Sequence, residues 1–385
     1  MTKISKRIQG AQNAVMNGDI MKPKYKIPSM REIEAITPNG YNVVSTFSGG
    51  GGSCLGYRMA GFKVLYANEF VEEAQKTYRA NHKAFLDTRD IREVTAESIL
   101  EKIGLKKGEI DLFDGSPPCC AFSVAGKREK HWNDKRAYSD GKVQKIEDLF
   151  FEYTRLLRGL QPKTFVAENV KGLILGKAKG YFKLILEEMQ DCGYEVRAAV
   201  LNAKWLGVPQ SRERIIFVGV RKDLVKKYNV YPIHPKPFNY LYSLREAFEG
   251  VQNNEQERQE LLGHGLKYAW GKVLNKIPKN PKKPLSGSSI KDGSYFNLVR
   301  ESLYFPCSTI CQNNGHSHNC GNCHPLEDRK FTIAELRRIT SIPDDFVLTG
   351  SFEQQWERLG RMVPPVMMYH IADTIRKEIL DKCKG

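Results

Sequence analysis

Short apolar runs alternate with amphipathic stretches over the first half of this chain. Each run is bounded by polar or glycine-containing segments, which is typical of buried strands joined by helices. The predicted strands lie at 43–44, 64–66, 110–116, 164–170, 195–203 and 214–221. Residues 147–160 place Leu149, Tyr153, Leu156 and Leu160 on one helical face, and a second helix ends at Gly193. The alternation predicts a doubly wound α/β domain over 37–221.

The remaining residues divide into three further segments. Residues 1–36 are basic and show no sustained periodicity, so we expect a partly flexible arm. Prolines and polar runs interrupt regular periodicity between 222 and 349, which predicts a smaller, irregular second domain. Residues 350–385 end in an amphipathic helix whose apolar face needs cover, and we expect this helix to return to the α/β domain.

The charge of the chain points to a polyanionic partner. Lys and Arg number 60 against 44 Asp and Glu, giving a formal net charge of +16. Nucleic acid is the usual partner of such an excess, and a membrane is disfavoured because no basic amphipathic helix stands out. No apolar run approaches the roughly 20 residues of a transmembrane helix. With nine cysteines and no secretory signal in the sequence, we expect reduced thiols and a cytoplasmic protein.

A glycine cluster follows the first predicted strand and precedes a helix. Residues 47–52 read FSGGGG, and Glu69 ends the second strand about 20 residues later. Glycines at this position let the backbone approach a ligand, and an acid at the next strand end can bind ribose hydroxyls. Cys54 stands where the last glycine of the dinucleotide fingerprint would fall, so a nicotinamide cofactor is disfavoured. A mobile glycine linker is the alternative.

A cysteine follows another predicted strand at the edge where open α/β sheets bind ligands. Residues 114–120 read DGSPPCC, and the two prolines stiffen the backbone before Cys119. A cysteine nucleophile needs a cationic or helix-terminal neighbourhood, since its ordinary pKa is about 8.5. We interpret Cys119 as functional and Cys120 as a small buried hydrophobe.

Five short segments follow one another in a characteristic order along the sequence. They are FSGGGG, the strand-ending NEF, the Pro-Pro-Cys turn, AENVKG and QSRERIIFVG. In this order the chain resembles the DNA (cytosine-5) methyltransferases of bacterial or phage type, over roughly 41–221 and 326–380. The resemblance implies a Rossmann-like methyltransferase domain with a smaller DNA-recognition domain, and a modification enzyme of the restriction–modification kind.

The resemblance also implies S-adenosylmethionine as cofactor. Phe47, Ser48, Gly49, Gly51, Gly52 and Glu69 would hold it. Phe70 would lie against the adenine, Asp90 and Ile91 would form the pocket for the adenine edge, and Pro118 would contact the cofactor beside the nucleophile. These roles suit the residues, because an aromatic face fits a flat base and an aspartate accepts from an exocyclic amine.

The catalytic residues implied by the resemblance are Cys119, Glu168, Arg212 and Arg214. Cys119 would add to carbon 6 of a cytosine, and Glu168, with Asn169 bracing the site, would hold N3 and the exocyclic amine. Arg212 and Arg214 alternate along a predicted strand, so their guanidinium groups would lie on one face. Arg214 would contact the cytosine carbonyl oxygen, and Arg212 would brace the loop or a phosphate.

The substrate implied is double-stranded DNA with the target base flipped out of the stack, because carbon 6 is shielded inside a duplex. The basic loop 123–136 would close behind the base and grip phosphates, with DNA lying between two lobes of a monomer. An RNA cytosine-5 methyltransferase and a catalytically silent DNA-binding relative are the alternatives. Intact Cys119, Glu168 and Arg214 argue against the silent relative.

The second domain contains four cysteines with some metal-ligand character. They are Cys307, Cys311, Cys320 and Cys323, with three histidines nearby. We favour ordinary loop cysteines over structural zinc and expect no metal site. The sequence departs from the family pattern at Cys120, at Arg361 and at an apparent insertion over 137–147.

Overall fold

A computed structural model describes residues 22–118, 135–137, 143–145, 149–176, 178–290 and 294–384 of the chain. These residues divide into two compact units. The large-sheet unit comprises Glu32–Leu201, Glu213–Pro235 and the chain from Met368 onward. The small-sheet unit comprises the chain through Arg31, Asn202–Arg212 and Lys236–Met367. The sequence-based boundaries at Arg221 and Thr349 therefore differ from the points at which the chain passes between the units.

The large-sheet unit contains a seven-stranded sheet. Its strands are β1 (Asn42–Thr46), β2 (Lys63–Asn68), β3 (Phe85–Asp87), β4 (Leu112–Gly115), β7 (Thr164–Val170), β8 (Tyr194–Asn202) and β9 (Glu213–Arg221). The order is β3-β2-β1-β4-β7-β9-β8. β2 pairs in parallel with β3 and β1, and β4 pairs in parallel with β1 and β7, whereas β9 pairs antiparallel with β7. The predicted α/β fold is confirmed, and the antiparallel strand is a feature that strand–helix alternation did not anticipate. Between β4 and β7, β5 (Lys135–Ala137) and β6 (Val143–Lys145) form an antiparallel pair over part of the segment that looked inserted.

Helices lie before, between and after the strands of this sheet along the chain, and the first of them begins in the small-sheet unit. They are α1 (Met30–Glu34), α2 (Gly52–Met59), α3 (Glu72–Asn81), α4 (Ala96–Ile103), α5 (Leu149–Leu160), α6 (Ala178–Asp191) and α7 (Lys222–Tyr228). The four α5 residues predicted to share one face are all 0% exposed. One of them, Tyr153, stacks on Phe113 of β4 at 4.7 Å between ring centroids. The sequence periodicity therefore located both the helix and its buried face.

The strand order creates a switch point between β1 and β4. From β1 the chain proceeds outward through β2 and β3 and then returns to the other side of β1 as β4. In open α/β sheets, ligands bind in the crevice beyond the carboxyl ends of the two strands at such a point. The glycine cluster follows β1 and the Pro117-Pro118 turn follows β4, so both predicted motifs belong to this edge.

The small-sheet unit is built from short elements, in agreement with the broken periodicity of its sequence. Its helices are α8 (Leu244–Ala247), α9 (Glu255–Lys267), α10 (Ala269–Leu274), α11 (Ile333–Ile339), α12 (Phe352–Arg361) and the start of α13 (Pro365–Ile375). Its three-stranded sheet is formed by β10 (Leu285–Ser286), β11 (Val299–Arg300) and β12 (Asn322–Cys323). Buried ion pairs support this limited core: Arg329 bonds Glu335 at 2.8 Å, and Arg300 bonds Asp328 at 2.5 Å.

Both ends of the described chain are packed. Tyr25 is 7% exposed, lies 4.9 Å from Tyr242 between ring centroids, and donates a hydrogen bond to the Arg338 carbonyl. Residues 22–31 of the predicted arm therefore pack within the small-sheet unit, whereas 32–36 belong to the large-sheet unit. At the other end, Asp381 accepts a hydrogen bond from the Tyr41 hydroxyl within the large-sheet unit. None of the helices described is long and apolar enough to cross a membrane.

Candidate active site

The glycine loop turns sharply between β1 and α2. Phe47, Gly49 and Gly51 have φ values of 53°, 56° and 93°, in the left-handed region that favours glycine. A Cβ added at Gly49 would meet no atom within 4 Å, so this peptide faces open space. A Cβ at Gly51 would overlap the imidazole of His82. The loop is thus open on one side and closely backed on the other.

Glu69 joins the glycine loop to the end of β2. Its carboxylate accepts hydrogen bonds from the backbone N–H of Gly49 and of Val71, both at 2.7 Å. The side chain is buried, and it lies at the sheet edge that the sequence predicted. A carboxylate placed here suits the hydroxyls of a ribose.

The three predicted adenine-pocket residues lie in different environments. Phe70 is half-buried and follows Glu69 directly. Asp90 caps a short 3₁₀ helix by accepting from the Arg92 N–H at 3.0 Å, and it also pairs with the Arg92 guanidinium. The Ile91 side chain belongs to the core of the large-sheet unit, at 2% exposure. Ile91 can therefore contact a base only through its backbone or through the small part of its side chain that reaches the surface.

The Pro117-Pro118 turn is held from the neighbouring strand. The Asn169 side-chain amide, on β7, donates to the Pro117 carbonyl at 3.1 Å, and the Asn169 oxygen accepts from the Val170 N–H. Pro118 is half-buried. The predicted nucleophile Cys119, Cys120 and residues 123–134 of the predicted closing loop lie outside the described residues. Asn169 therefore holds the Pro117 carbonyl, two residues before Cys119, and its bracing of the site itself stays a prediction.

Glu168 and Arg214 form an ion pair across β7 and β9. The Arg214 Nε lies 2.6 Å from the Glu168 Oε1, and the two side chains are 14% and 11% exposed. In the antiparallel register Val170 faces Arg214, so Glu168 lies two residues from the position directly opposite. An acid and a guanidinium, both largely shielded from water, are therefore brought together at the strand end.

Arg212 makes its contacts with other residues than this pair. Strand β9 begins at Glu213, so the expectation that Arg212 and Arg214 share a strand face is wrong. Arg212 is 2% exposed and belongs to the small-sheet unit, where its guanidinium donates to the carbonyls of Ile310 and Arg361. Its contacts are those of a bracing residue. The sequence could not reveal the change of unit between two arginines two positions apart.

Asp114 is a buried acid to which the sequence assigned no role. Both of its carboxylate oxygens accept hydrogen bonds from hydroxyl groups, one from Ser45 and one from Tyr57. Burial raises the pKa of Asp114 to about 7, and the charge of Glu168 also acts to raise it. The available signal was a single acid inside an otherwise apolar strand, LFDG.

Comparison with known proteins identifies the family. The model of the C-5 cytosine-specific DNA methylase family matches residues 41–377. The chain belongs to this family. It is a DNA (cytosine-5) methyltransferase that uses S-adenosylmethionine as methyl donor, as the ordered motifs predicted.

Curated relatives of this methyltransferase are type II enzymes. M.FnuDI of Fusobacterium nucleatum is 32% identical over 351 residues, covering 89% of this chain and 96% of the relative. M.Sau96I of Staphylococcus aureus is 30% identical over 371 residues, covering 94% and 81%. These relatives confirm the predicted bacterial restriction–modification type.

Solved structures confirm the Rossmann-like methyltransferase fold. A DNMT2 variant of Spodoptera frugiperda has a TM-score of 0.61 at 17% identity and covers 90% of this chain and 100% of its own. Dnmt2 of S. pombe has a TM-score of 0.58 at 16% identity, covering 88% and 98%.

The residues at the switch point fit S-adenosylmethionine. Open space in front of Gly49 leaves room for a ligand against the backbone, and the buried Glu69 carboxylate at the end of β2 suits the ribose. The aromatic ring of Phe70 and the carboxylate of Asp90 follow on the same edge of the sheet. These side chains, with Ser48, Gly51, Gly52 and Pro118, would hold the cofactor of this methyltransferase.

The four cysteines of the small-sheet unit are free thiols. Cys307 and Cys323 are 0% exposed, and burial raises the pKa of Cys323 to about 12. Within the part of the chain that the structure describes, no group of three or more His, Cys, Asp or Glu could hold a metal ion. The predicted loop character applies to Cys311 and Cys320, whereas Cys307 and Cys323 are core residues.

Proposed function

We propose that this methyltransferase modifies carbon 5 of a cytosine in double-stranded DNA through a covalent adduct at Cys119, with the target base flipped out of the duplex. The observation that supports it most is the shielded Glu168–Arg214 ion pair, at 2.6 Å, on the strand beside the braced Pro117-Pro118 turn. An acid and a guanidinium match the N3 edge and the carbonyl oxygen of one cytosine.

The proposed chemistry begins with Cys119. Its thiolate forms a bond to carbon 6, and the electron pair of the 5,6 double bond becomes available at carbon 5. S-adenosylmethionine supplies the methyl group that carbon 5 captures. The carbon 5 proton then passes to water, its electron pair re-forms the 5,6 double bond, and the carbon–sulfur bond breaks to release the Cys119 thiolate. The proton that N3 received returns to Glu168.

Glu168 and Arg214 stabilise the charge that develops on the ring. Arg214 donates to the cytosine carbonyl oxygen. Glu168 takes up a proton from solvent as Arg214 turns from it to the base, accepts a hydrogen bond from the exocyclic amine, and delivers that proton to N3 as sulfur adds to carbon 6. In the structure Arg214 neutralises Glu168. A bound cytosine therefore has to replace part of the contact between Arg214 and Glu168. This favours a base that offers an acceptor to Arg214 and a donor to Glu168.

Two basic regions of the chain would contact the DNA. The small-sheet unit with its lysine-rich 272–300 segment would read and grip DNA, and the basic loop 123–136 would close behind the flipped base. The acting species would be a monomer in the bacterial or phage-infected cytoplasm, where its DNA substrate is found.

The adduct is tested with labelled cofactor and duplex DNA in which 5-fluorocytosine replaces cytosine. Fluorine at carbon 5 cannot leave as the proton does, so the protein should remain bound to DNA in a denaturing gel. Cys119→Ser should abolish the adduct while binding the cofactor normally. Adducts on transfer RNA but not on DNA, or none with folded protein and DNA of varied sequence, would overturn the proposal.

A further inference from the structure

A carboxylate is buried in the strand that leads to the Pro117-Pro118 turn. β4 pairs in parallel with β1 on one side and β7 on the other, and strands in such positions are normally apolar on both faces. Asp114, within β4, is nevertheless 1% exposed. Burying a carboxyl group without partners is costly, so its surroundings have to compensate for it.

Its partners come from both sides of the switch point. Ser45 faces Asp114 in the β1–β4 register, and its hydroxyl donates to Asp114 Oδ2 at 2.9 Å. The Tyr57 hydroxyl, on α2, donates to Oδ1 at 2.9 Å. Thr46 donates to the Asp114 main-chain carbonyl at 3.2 Å. One side chain thus joins β4 to β1 and to the helix that follows the glycine loop.

The Ser45 branch, meaning the hydrogen bonds that reach Asp114 through Ser45, continues into the glycine loop. The Ser48 hydroxyl donates to the Ser45 Oγ at 3.0 Å, and the Ser48 carbonyl accepts from the Gly51 N–H at 2.9 Å. Ser45 and Ser48 are 0% and 8% exposed, so water competes little for these bonds. The chain Ser48–Ser45–Asp114 therefore runs from the loop to the strand that leads to Cys119.

The Tyr57 branch is the single hydrogen bond from the Tyr57 hydroxyl to Asp114, and among the described residues it is not continued to the glycine loop by a second hydroxyl. Tyr57 reaches the same carboxylate from α2, with an equal bond length, and is 0% exposed. No further hydroxyl connects it to the loop among the described contacts of this tyrosine. Each branch contributes one hydrogen bond to Asp114, but one of them includes a loop residue.

We propose that Asp114 is a positioning residue that holds the glycine loop in register with the strand leading to the nucleophile, acting through Ser45 and Ser48. The proposal rests on the function proposed above for Cys119. In this role Asp114 touches neither cofactor nor base. It sets the distance between the place where the methyl donor binds and the place where the cytosine is attacked.

The test compares three substitutions. Two of them each remove one hydrogen-bond donor to Asp114, and the third changes the Asp114 carboxylate that accepts both bonds. Asp114→Asn and Ser45→Ala should each weaken cofactor binding about tenfold in calorimetric titration, whereas Tyr57→Phe should change it less than about threefold. A cycle of Asp114→Asn and Ser45→Ala should be non-additive, since both act in one chain of bonds. Affinity for duplex DNA without cofactor should stay within about twofold for all three.

Several outcomes separate positioning from general support of the fold. Equal losses of cofactor affinity for Ser45→Ala and Tyr57→Phe, or wild-type affinity for Ser45→Ala, would overturn the proposal. Chemical denaturation of each variant shows whether it is folded, and Ser45→Ala with Tyr57→Phe decides the matter even if Asp114→Asn does not fold. Cofactor binding is measured without turnover, so failure of the Cys119 adduct would remain a separate result.

Discussion

At the scale of single residues, the Glu168–Arg214 pair makes the sharpest prediction. Glu168→Gln keeps the size of the side chain but removes both the charge and the ability to deliver a proton. Methyl transfer to DNA should fall by about 10²–10⁴-fold, the usual contribution of a positioned acid or base. Cofactor affinity should be unchanged, because the described side-chain and main-chain hydrogen bonds that leave the glycine loop toward the sheet go to Ser45, Asn68 and Glu69 rather than to β7. Filter binding of labelled methyl groups and calorimetry measure the two effects.

A matched substitution controls for loss of the ion pair. Arg214→Lys keeps a positive charge beside Glu168 but cannot reproduce the geometry of the guanidinium. It should retain more activity than Glu168→Gln if the acid is the catalytic group. Activity of Glu168→Gln near the wild-type level would contradict the assigned role.

The position of a residue in the fold could be predicted from sequence where its motif lies directly at the end of a strand, whereas the roles of these residues stay predictions. Glu69 and Glu168 were placed correctly because the end of a parallel strand fixes the edge on which a side chain lies. Asp114 was missed because its partner Ser45 is set by the β1–β4 register, 69 residues away in sequence. Arg212 was expected on the same strand face as Arg214, but side chains alternate in this way only within a strand, and β9 begins one residue after Arg212.

At the scale of elements, helix α9 offers two glycines with opposite environments. A Cβ added at Gly263 meets nothing within 4 Å, whereas one at Gly265 would overlap the Asp328 carbonyl oxygen. Gly263→Ala should raise the unfolding free energy by about 0.5–1 kcal/mol, through helix propensity alone. Gly265→Ala should lower it by about 1–3 kcal/mol, because the neighbouring backbone has to move.

Thermal unfolding of the two variants checks both signs in one helix. The substitutions are two residues apart and chemically identical, so each serves as the control for the other. Equal shifts in the midpoint would show that packing against Asp328 is looser than the structure indicates. Such a contrast is invisible to sequence periodicity, which treats both glycines alike.

Helix α5 and strand β9 show what periodicity can and cannot establish about an element. The apolar face of α5 could be predicted because apolar residues spaced three and four apart are typical of an amphipathic helix and not of a strand. The direction of β9 could not be predicted, because a short apolar run has the same pattern in parallel and antiparallel sheets. In this sheet that direction decides which end of β9 meets Glu168.

At the scale of the whole molecule, buried histidines should make the protein sensitive to acid. Burial lowers the pKa of His82 to about 3 and of His324 and His370 to about 4, from an ordinary value of 6.5. As the pH falls below 6.5, the unfolded chain takes up protons that the folded chain refuses. Stability supplied by these three groups is therefore lost on acidification.

Two buried carboxyl groups act in the opposite direction. Burial raises the pKa of Asp114 and of Glu301 to about 7, so the folded chain holds two protons that the unfolded chain lacks above about pH 4. His234, whose pKa is also lowered by burial, adds to the histidine side. The unfolding free energy should therefore fall as the pH decreases from about 6 to about 4.5.

Urea denaturation across this range measures the slope. His82→Gln removes one of the histidine contributions and should flatten the dependence, whereas Glu301→Gln removes an opposing group and should steepen it. A stability that rises on acidification would contradict the assignment of neutral, buried imidazoles.

The passage of the chain between units at Arg212 and Glu213 bears on how the small-sheet unit could be exchanged between related enzymes. Residues 202–212 bond to the small-sheet unit: the Ser211 N–H donates to the Cys307 carbonyl at 2.7 Å, and Thr309 donates to the Ser211 carbonyl at 2.6 Å. In a chimaera that takes only 236–367 from a relative, residues 202–212 would pack against foreign side chains, and the Thr309 bond would persist only where the relative also has a hydroxyl. A graft of the DNA-reading unit proposed above should therefore include 202–212 as well as 236–367.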